Sequence, residues 1–133
     1  MENNSPKTKI LIVDDDKFLV DMYSLKFNEN GYEVTTASSG ADAVKKLEAG
    51  LVPDIYLVDV VMPIMDGFEL VENIKEKFDG HRGVIVILSN LGQKEDVEKG
   101  LSLGADGYIV KASATPTEVV NKVREITANR KYA

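Results

Sequence analysis

Short apolar runs alternate with longer stretches of helical periodicity along this chain. Lys9 to Val13 is apolar from its second residue and stops at Asp14-Asp15-Asp16. Tyr32 to Ala37, Asp54 to Asp59, Val84 to Leu88 and Asp106 to Val110 are further short runs, and near-continuous apolar runs of this length read as strands covered on both faces. Between them, apolar residues recur with the period of a helix. Phe18, Met22 and Leu25 predict one inward face, Ala43, Val44 and Leu47 a second, and Phe68, Val71, Ile74 and Phe78 a third. Val97 with Leu101 predicts a fourth, and Val119, Val120, Val123 and Ile126 a fifth. Asn30-Gly31, Gly50, Gly80 and Gly104 stand where the first four helices should stop. Ser39 reads as an N-cap, and Thr115-Pro116-Thr117-Glu118 as a capping box with proline at the first helical position. Strand and helix alternate five times, which predicts a (βα)5 α/β domain with parallel strands and right-handed crossovers.

Composition narrows the class. The 133 residues, 44% hydrophobic and 29% charged, suit one domain over 9–130, preceded by a polar arm at 1–8 expected to be mobile. Nothing resembles a membrane span or a signal peptide, and the absence of cysteine suits a reducing cytoplasm. A net charge of −6 argues against non-specific nucleic-acid binding by this domain. His81, the only histidine, sits in a polar Gly-His-Arg-Gly turn and is expected to be an exposed loop residue, so a histidine metal site or a histidine-dependent triad is disfavoured.

The strand ends carry the chemistry. Strand one ends in Asp14 and Asp15, strand three in Asp59, strand four in Ser89 and strand five in Lys111. In a parallel sheet these ends share one edge, the edge where open α/β sheets bind ligands. Three carboxylates there repel one another unless a cation joins them, and oxygen donors without Cys or His favour Mg²⁺. A hydroxyl and an ammonium beside a metal-bound carboxylate suit a phosphoryl group, which a carboxylate can attack at phosphorus.

Val13-Asp14-Asp15, Asp59 with Met62-Pro63 and Met65-Asp66-Gly67, Ser89, Gly104-Ala105 and Tyr108-Ile109-Val110-Lys111 together resemble the receiver domain of two-component response regulators. The resemblance covers about residues 8–128 and implies a flavodoxin-like, doubly wound sheet in the order 2-1-3-4-5. It implies that Asp59 accepts a phosphoryl group from a sensor histidine kinase or phosphotransfer protein. Mg²⁺ would be held by Asp14, Asp15, Asp59 and the Val61 backbone carbonyl, and Lys111 would pair with the phosphoryl group. Ser89 would move inward to bond it and Tyr108 would follow, which alters the helix 4–strand 5–helix 5 face for a downstream protein or a second copy of the chain.

Departures from the family pattern carry their own expectations. Ala112 stands where proline, often with a cis bond, usually follows the lysine, so the Lys111-Ala112 bond is expected to be trans. Asn90 stands where a small residue is usual, and either narrows access to Asp59 or simply caps the loop. Val61 and Leu91 occupy positions that tune hydrolysis and cannot orient water by side-chain hydrogen bonds, so slow autodephosphorylation is expected. Asp16 and Asp66 read as helix caps rather than ligands, and Gly67 as a place for close backbone packing. Two rival functions are a receiver-like contact module that works without phosphate and a Mg²⁺-dependent phosphatase with an aspartyl nucleophile. The second lacks the acid such enzymes usually carry two residues past the nucleophile, where Val61 stands.

Overall fold

A computed structural model describes residues 7–131, with the side chains of His81 and Lys131 outside the description. The strands are β1 (Lys9–Val13), β2 (Glu33–Ala37), β3 (Ile55–Val58), β4 (Val84–Ser89) and β5 (Gly107–Val110). The helices are α1 (Lys17–Glu29), α2 (Gly40–Glu48), α3 (Gly67–Lys77), α4 (Lys94–Ser102) and α5 (Pro116–Lys131). All strand pairs are parallel, in the order β2-β1-β3-β4-β5. Of the expected N-terminal arm, residues 1–6 lie outside the described residues, and the Thr8 carbonyl already accepts a hydrogen bond from Glu33 N at 2.9 Å.

Alternation along each strand divides the core in two. Leu11, Val13, Tyr56, Val58, Ile85 and Ile87 face α2 and α3. Ile10, Ile12, Ile55, Leu57, Val86 and Leu88 face α1 and α5. Tyr56 and Val58 are fully buried, as β3 requires with strands on both sides and helices on both faces. The caps form as expected. Asp16, Ser39 and Asp66 accept from the amides of Leu19, Asp42 and Glu69, and Thr115 with Glu118 closes the box on α5.

Two helix faces differ from the sequence reading. Phe18 and Leu25 were expected inward but are 76% and 62% exposed, while Met22 packs only partly against the core. α1 buries Val20, Tyr23 and Phe27 instead. That phase brings the Phe27 ring edge-on to Tyr32, 5.1 Å between centroids, which suits aromatic pairs. On α4, Leu101 was expected inward but is 45% exposed, and only Gly100 is fully buried. A Cβ at Gly100 would lie 2.6 Å from Ile87 Cδ1 and 3.1 Å from the Tyr108 ring, so the helix seats against the sheet through its smallest residue and Leu101 swings outward. Gly31, Gly50 and Gly104 adopt positive φ as helix terminators, whereas after α3 that conformation falls on Arg82 (φ 55°) beyond a 3₁₀ turn at Asp79–His81. The expected exposure of His81 lies outside the described side chains.

The Tyr56 phenol has no hydrogen-bond partner among the described residues. Burial pushes it from 10.0 up to about 12. Tyr56→Phe removes an unpaired buried hydroxyl and is expected to stabilise the fold by about 1 kcal/mol in urea unfolding at neutral pH. The phenol's folded value lies above its unfolded one, so its neutral form favours the fold. That contribution is intact below pH 10.0 and lost as pH rises towards about 12. The advantage of the Phe variant should therefore widen over that window, and a constant difference would contradict the assignment.

Candidate functional site

Strand register builds the site. Val13 is level with Val58, so the residues that follow them, Asp14 and Asp59, leave neighbouring strands side by side. Ser89 is level with Val110, which brings Lys111 to the same edge. Backbone bonds hold the two acids there, from Asp14 N to Ala37 O (3.2 Å) and from Asp59 N to Val13 O (2.9 Å).

Each carboxylate divides its oxygens between a backbone amide and the lysine. Asp14 accepts from Asp16 N at 2.9 Å through Oδ1 and pairs with Lys111 Nζ at 2.7 Å through Oδ2. Asp59 accepts from Val60 N at 2.9 Å through Oδ1, and its Oδ2 lies 3.5 Å from Lys111 Nζ. Asp14 and Asp59 are buried, and Asp15 is exposed at the mouth. Burial raises the Asp59 carboxyl above the ordinary carboxylate range, reinforced by the charge of Asp14 and opposed by Lys111 and the Val60 amide. Burial alone would lower Lys111, but its pairing with Asp14 and Asp59 wins and holds it above the ordinary lysine value.

One oxygen from each of Asp14, Asp15 and Asp59 lies within 4.8 Å of the others. Three carboxylates against one ammonium leave two negative charges, which a divalent cation would neutralise. The all-oxygen donor set, two carboxylates buried and one exposed, fits Mg²⁺ with part of its water shell retained. A cavity of about 220 Å³ adjoins the acids, bounded by Asp14, Asp15, Lys17, Asp21, Thr36 and Ser38.

The loop after β3 is locked to the backbone of Asp59 and Val60. Gly67 N donates to Val60 O at 2.9 Å, and a Cβ at Gly67 would fall 2.1 Å from the Asp59 carbonyl oxygen. Only glycine lets α3 start this close, as its place in the sequence suggested. Val61 is 60% exposed.

Ser89 is fully buried at the end of β4, and its Oγ accepts from Leu91 N at 3.2 Å. The Leu91 carbonyl in turn accepts a hydrogen bond from the Tyr108 hydroxyl. The backbone of one residue, Leu91, thus links the two expected switch side chains, through its amide on one side and its carbonyl on the other. Burial raises the Tyr108 phenol above its ordinary value. Asn90 is exposed beside them. No peptide bond among the described residues is cis, so Lys111-Ala112 is trans as expected, and it opens a 3₁₀ turn at Lys111–Ser113. Tyr23 escaped the sequence reading because the wrong face of α1 was taken as inward. It is buried on α1 within electrostatic range of Lys111, Asp14 and Asp59, and its phenol is raised chiefly by burial.

The sequence profile of the response regulator receiver domain matches residues 10–124. The chain belongs to this family. The receiver is 35% identical over 127 residues to the Bacillus subtilis alkaline phosphatase synthesis transcriptional regulatory protein PhoP, a match covering 94% of this chain and 50% of that protein. It spans about half the length of the curated relatives it matches. The Vibrio cholerae chemotaxis protein CheY4 shares its fold with a TM-score of 0.83 at 30% identity, covering 91% of this chain and 99% of that one. A chain of the Borrelia burgdorferi CheX-CheY-BeF3-Mg²⁺ complex is similar with a TM-score of 0.81 at 33% identity, covering 90% and 88%. Receiver domains are signalling switches rather than conventional enzymes, and they bind Mg²⁺ at an acidic pocket of the kind formed here by Asp14, Asp15 and Asp59. No described helix is long and apolar enough to cross a membrane.

Proposed function

We propose that this receiver is a cytoplasmic phosphorelay switch whose acceptor is Asp59, charged by a sensor histidine kinase or phosphotransfer protein. The observation that carries the reading is Lys111 Nζ standing 2.7 Å from Asp14 and 3.5 Å from Asp59 at the edge where three carboxylates meet. An Asp59 carboxylate oxygen attacks phosphorus. The P–O bond forms as the P–N bond breaks, and the electron pair leaves on the imidazole nitrogen. Asp14, Asp15, Asp59 and the Val61 carbonyl would hold Mg²⁺, which neutralises phosphoryl oxygens when bound. Lys111 gives up part of its pairing with Asp14 to meet the new negative charge. Ser89 exchanges the Leu91 amide for a phosphoryl oxygen. Because Tyr108 donates to the carbonyl of the same residue, Leu91, that exchange biases the face of α4, β5 and α5, through which a downstream protein or a second copy would bind. The domain would catalyse its own phosphorylation and dephosphorylation.

Beryllofluoride with Mg²⁺, followed by fluorine NMR, tests the acceptor. One bound signal with the wild type and none with Asp59→Asn supports the switch. No signal with either would favour a module that works by contact alone. Rapid multiple turnover of phosphate esters would favour a phosphatase, a role the exposed apolar Val61 opposes.

Val61 and Leu91 offer no side-chain hydrogen bond to an attacking water. The phosphorylated protein should therefore decay slowly, and Val61→Asn should shorten its lifetime several-fold. Loss of label after removal of the donor measures it, and equal decay of the two proteins would defeat the idea.

A further inference from the structure

We propose that Ile64 is a specificity-determining contact for the protein that delivers the phosphoryl group, an inference resting on Asp59 as the acceptor. Ile64 has a φ of 71° and is 102% exposed. A β-branched residue in the left-handed region is strained, and glycine or asparagine would sit there more comfortably. Burial offers no compensation, because the side chain is wholly in solvent. Strain of this kind persists where surrounding structure imposes it, and it concentrates at sites of function.

The surrounding structure does impose it. Met65 N donates to Pro63 O at 2.8 Å across Ile64, Gly67 N donates to Val60 O at 2.9 Å, and Asp66 caps α3 through a box with Glu69. The Met65 side chain packs against Gly40, where a Cβ would lie 2.7 Å from its sulfur. Ile64 is thus a rigid apolar knob on the loop that leaves Asp59. The same sheet edge exposes two further large apolar side chains, Val61 (60%) on this loop and Phe18 (76%) in the first turn of α1. A small donor reaches Asp59 without touching this rim. A phosphohistidine on a folded protein must bring its flanking surface against the rim before the phosphorus comes within reach of Asp59. The occupant that fits is therefore a protein donor with an apolar surface beside its histidine, and a rigid knob recognises it with little ordering on binding.

The test compares wild type with Ile64→Gly, Ile64→Asn and Ile64→Val. Autophosphorylated cores of a panel of sensor kinases serve as probes, and the fastest donor to the wild type is carried forward. Gly and Asn are expected to raise the thermal midpoint by several degrees and to leave uptake from acetyl phosphate within twofold. They should lower kcat/KM for transfer from the kinase at least tenfold, while Val retains transfer. Unchanged transfer to Gly and Asn overturns the proposal, as does a thermal midpoint that fails to rise, or a panel in which no kinase outpaces acetyl phosphate. Failure of the wild type to take up acetyl phosphate would instead remove the acceptor reading on which the proposal stands.

Discussion

Gly67→Ala is expected to destabilise the receiver by about 3 kcal/mol and to abolish Mg²⁺-dependent phosphoryl uptake. The added methyl would lie 2.1 Å from the Asp59 carbonyl oxygen and 2.7 Å from Val60 Cα. Both are backbone atoms, so no rotamer change relieves the overlap. Relief requires either α3 to move away or the end of β3 to shift. The first breaks the bond from Gly67 N to Val60 O and lifts Phe68, Val71 and Ile74 from the core. The second displaces Asp59 from Lys111. Urea unfolding gives the stability, and acetyl phosphate labelling at a urea-free, fully folded condition gives the site. A variant of wild-type stability and activity would mean that the close approach is not required.

Lys111→Met is expected to cost about 3 kcal/mol without divalent metal and much less with it. The lysine pairs with two buried carboxylates, and methionine keeps its volume while leaving Asp14 and Asp59 facing each other with no cation between them. Removing one partner of a buried ion group leaves the other charge uncompensated, which is where the cost arises. Mg²⁺ held by the folded acids would favour the folded state over the unfolded one, so millimolar Mg²⁺ should recover a large part of the loss. Phosphoryl uptake should stay at least tenfold below wild type even then, because the metal would not replace the ammonium proposed to meet the phosphoryl group. Unfolding midpoints of both proteins over a Mg²⁺ series measure the recovery. Equal gains for wild type and variant would show that metal and lysine do not share the same carboxylates.

Much of the fold was legible because α/β alternation writes itself plainly. Buried parallel strands are continuously apolar, and their ends stand out where Asp14, Asp59, Ser89 and Lys111 follow apolar runs. That edge also made the site legible, since parallel strands bring all their ends to one side. The phase of α1 was not legible. Phe18-Met22-Leu25 and Val20-Tyr23-Phe27 are both apolar series on one helix, and the core that Tyr23 and Phe27 share with Val119, Val120 and Val123 of α5, remote in sequence, chose between them. The outward turn of Leu101 follows from Ile87 and Tyr108 closing on Gly100, which periodicity cannot register. The link from Ser89 to Tyr108 runs through the Leu91 backbone, whose amide and carbonyl carry no mark in the sequence. The left-handed Ile64 was hidden for the opposite reason, since a β-branched residue signals extended chain rather than a positive φ.

The central claim is that Asp59 accepts a phosphoryl group at a site completed by Mg²⁺. Intact-mass measurement after incubation with acetyl phosphate and Mg²⁺, followed by borohydride trapping and peptide mapping, tests it most directly. The account predicts one phosphoryl group per chain, mapped to Asp59, absent in Asp59→Asn and absent when a chelator removes the metal. Unmodified wild-type protein under these conditions, or a label that survives in Asp59→Asn at another residue, would contradict it.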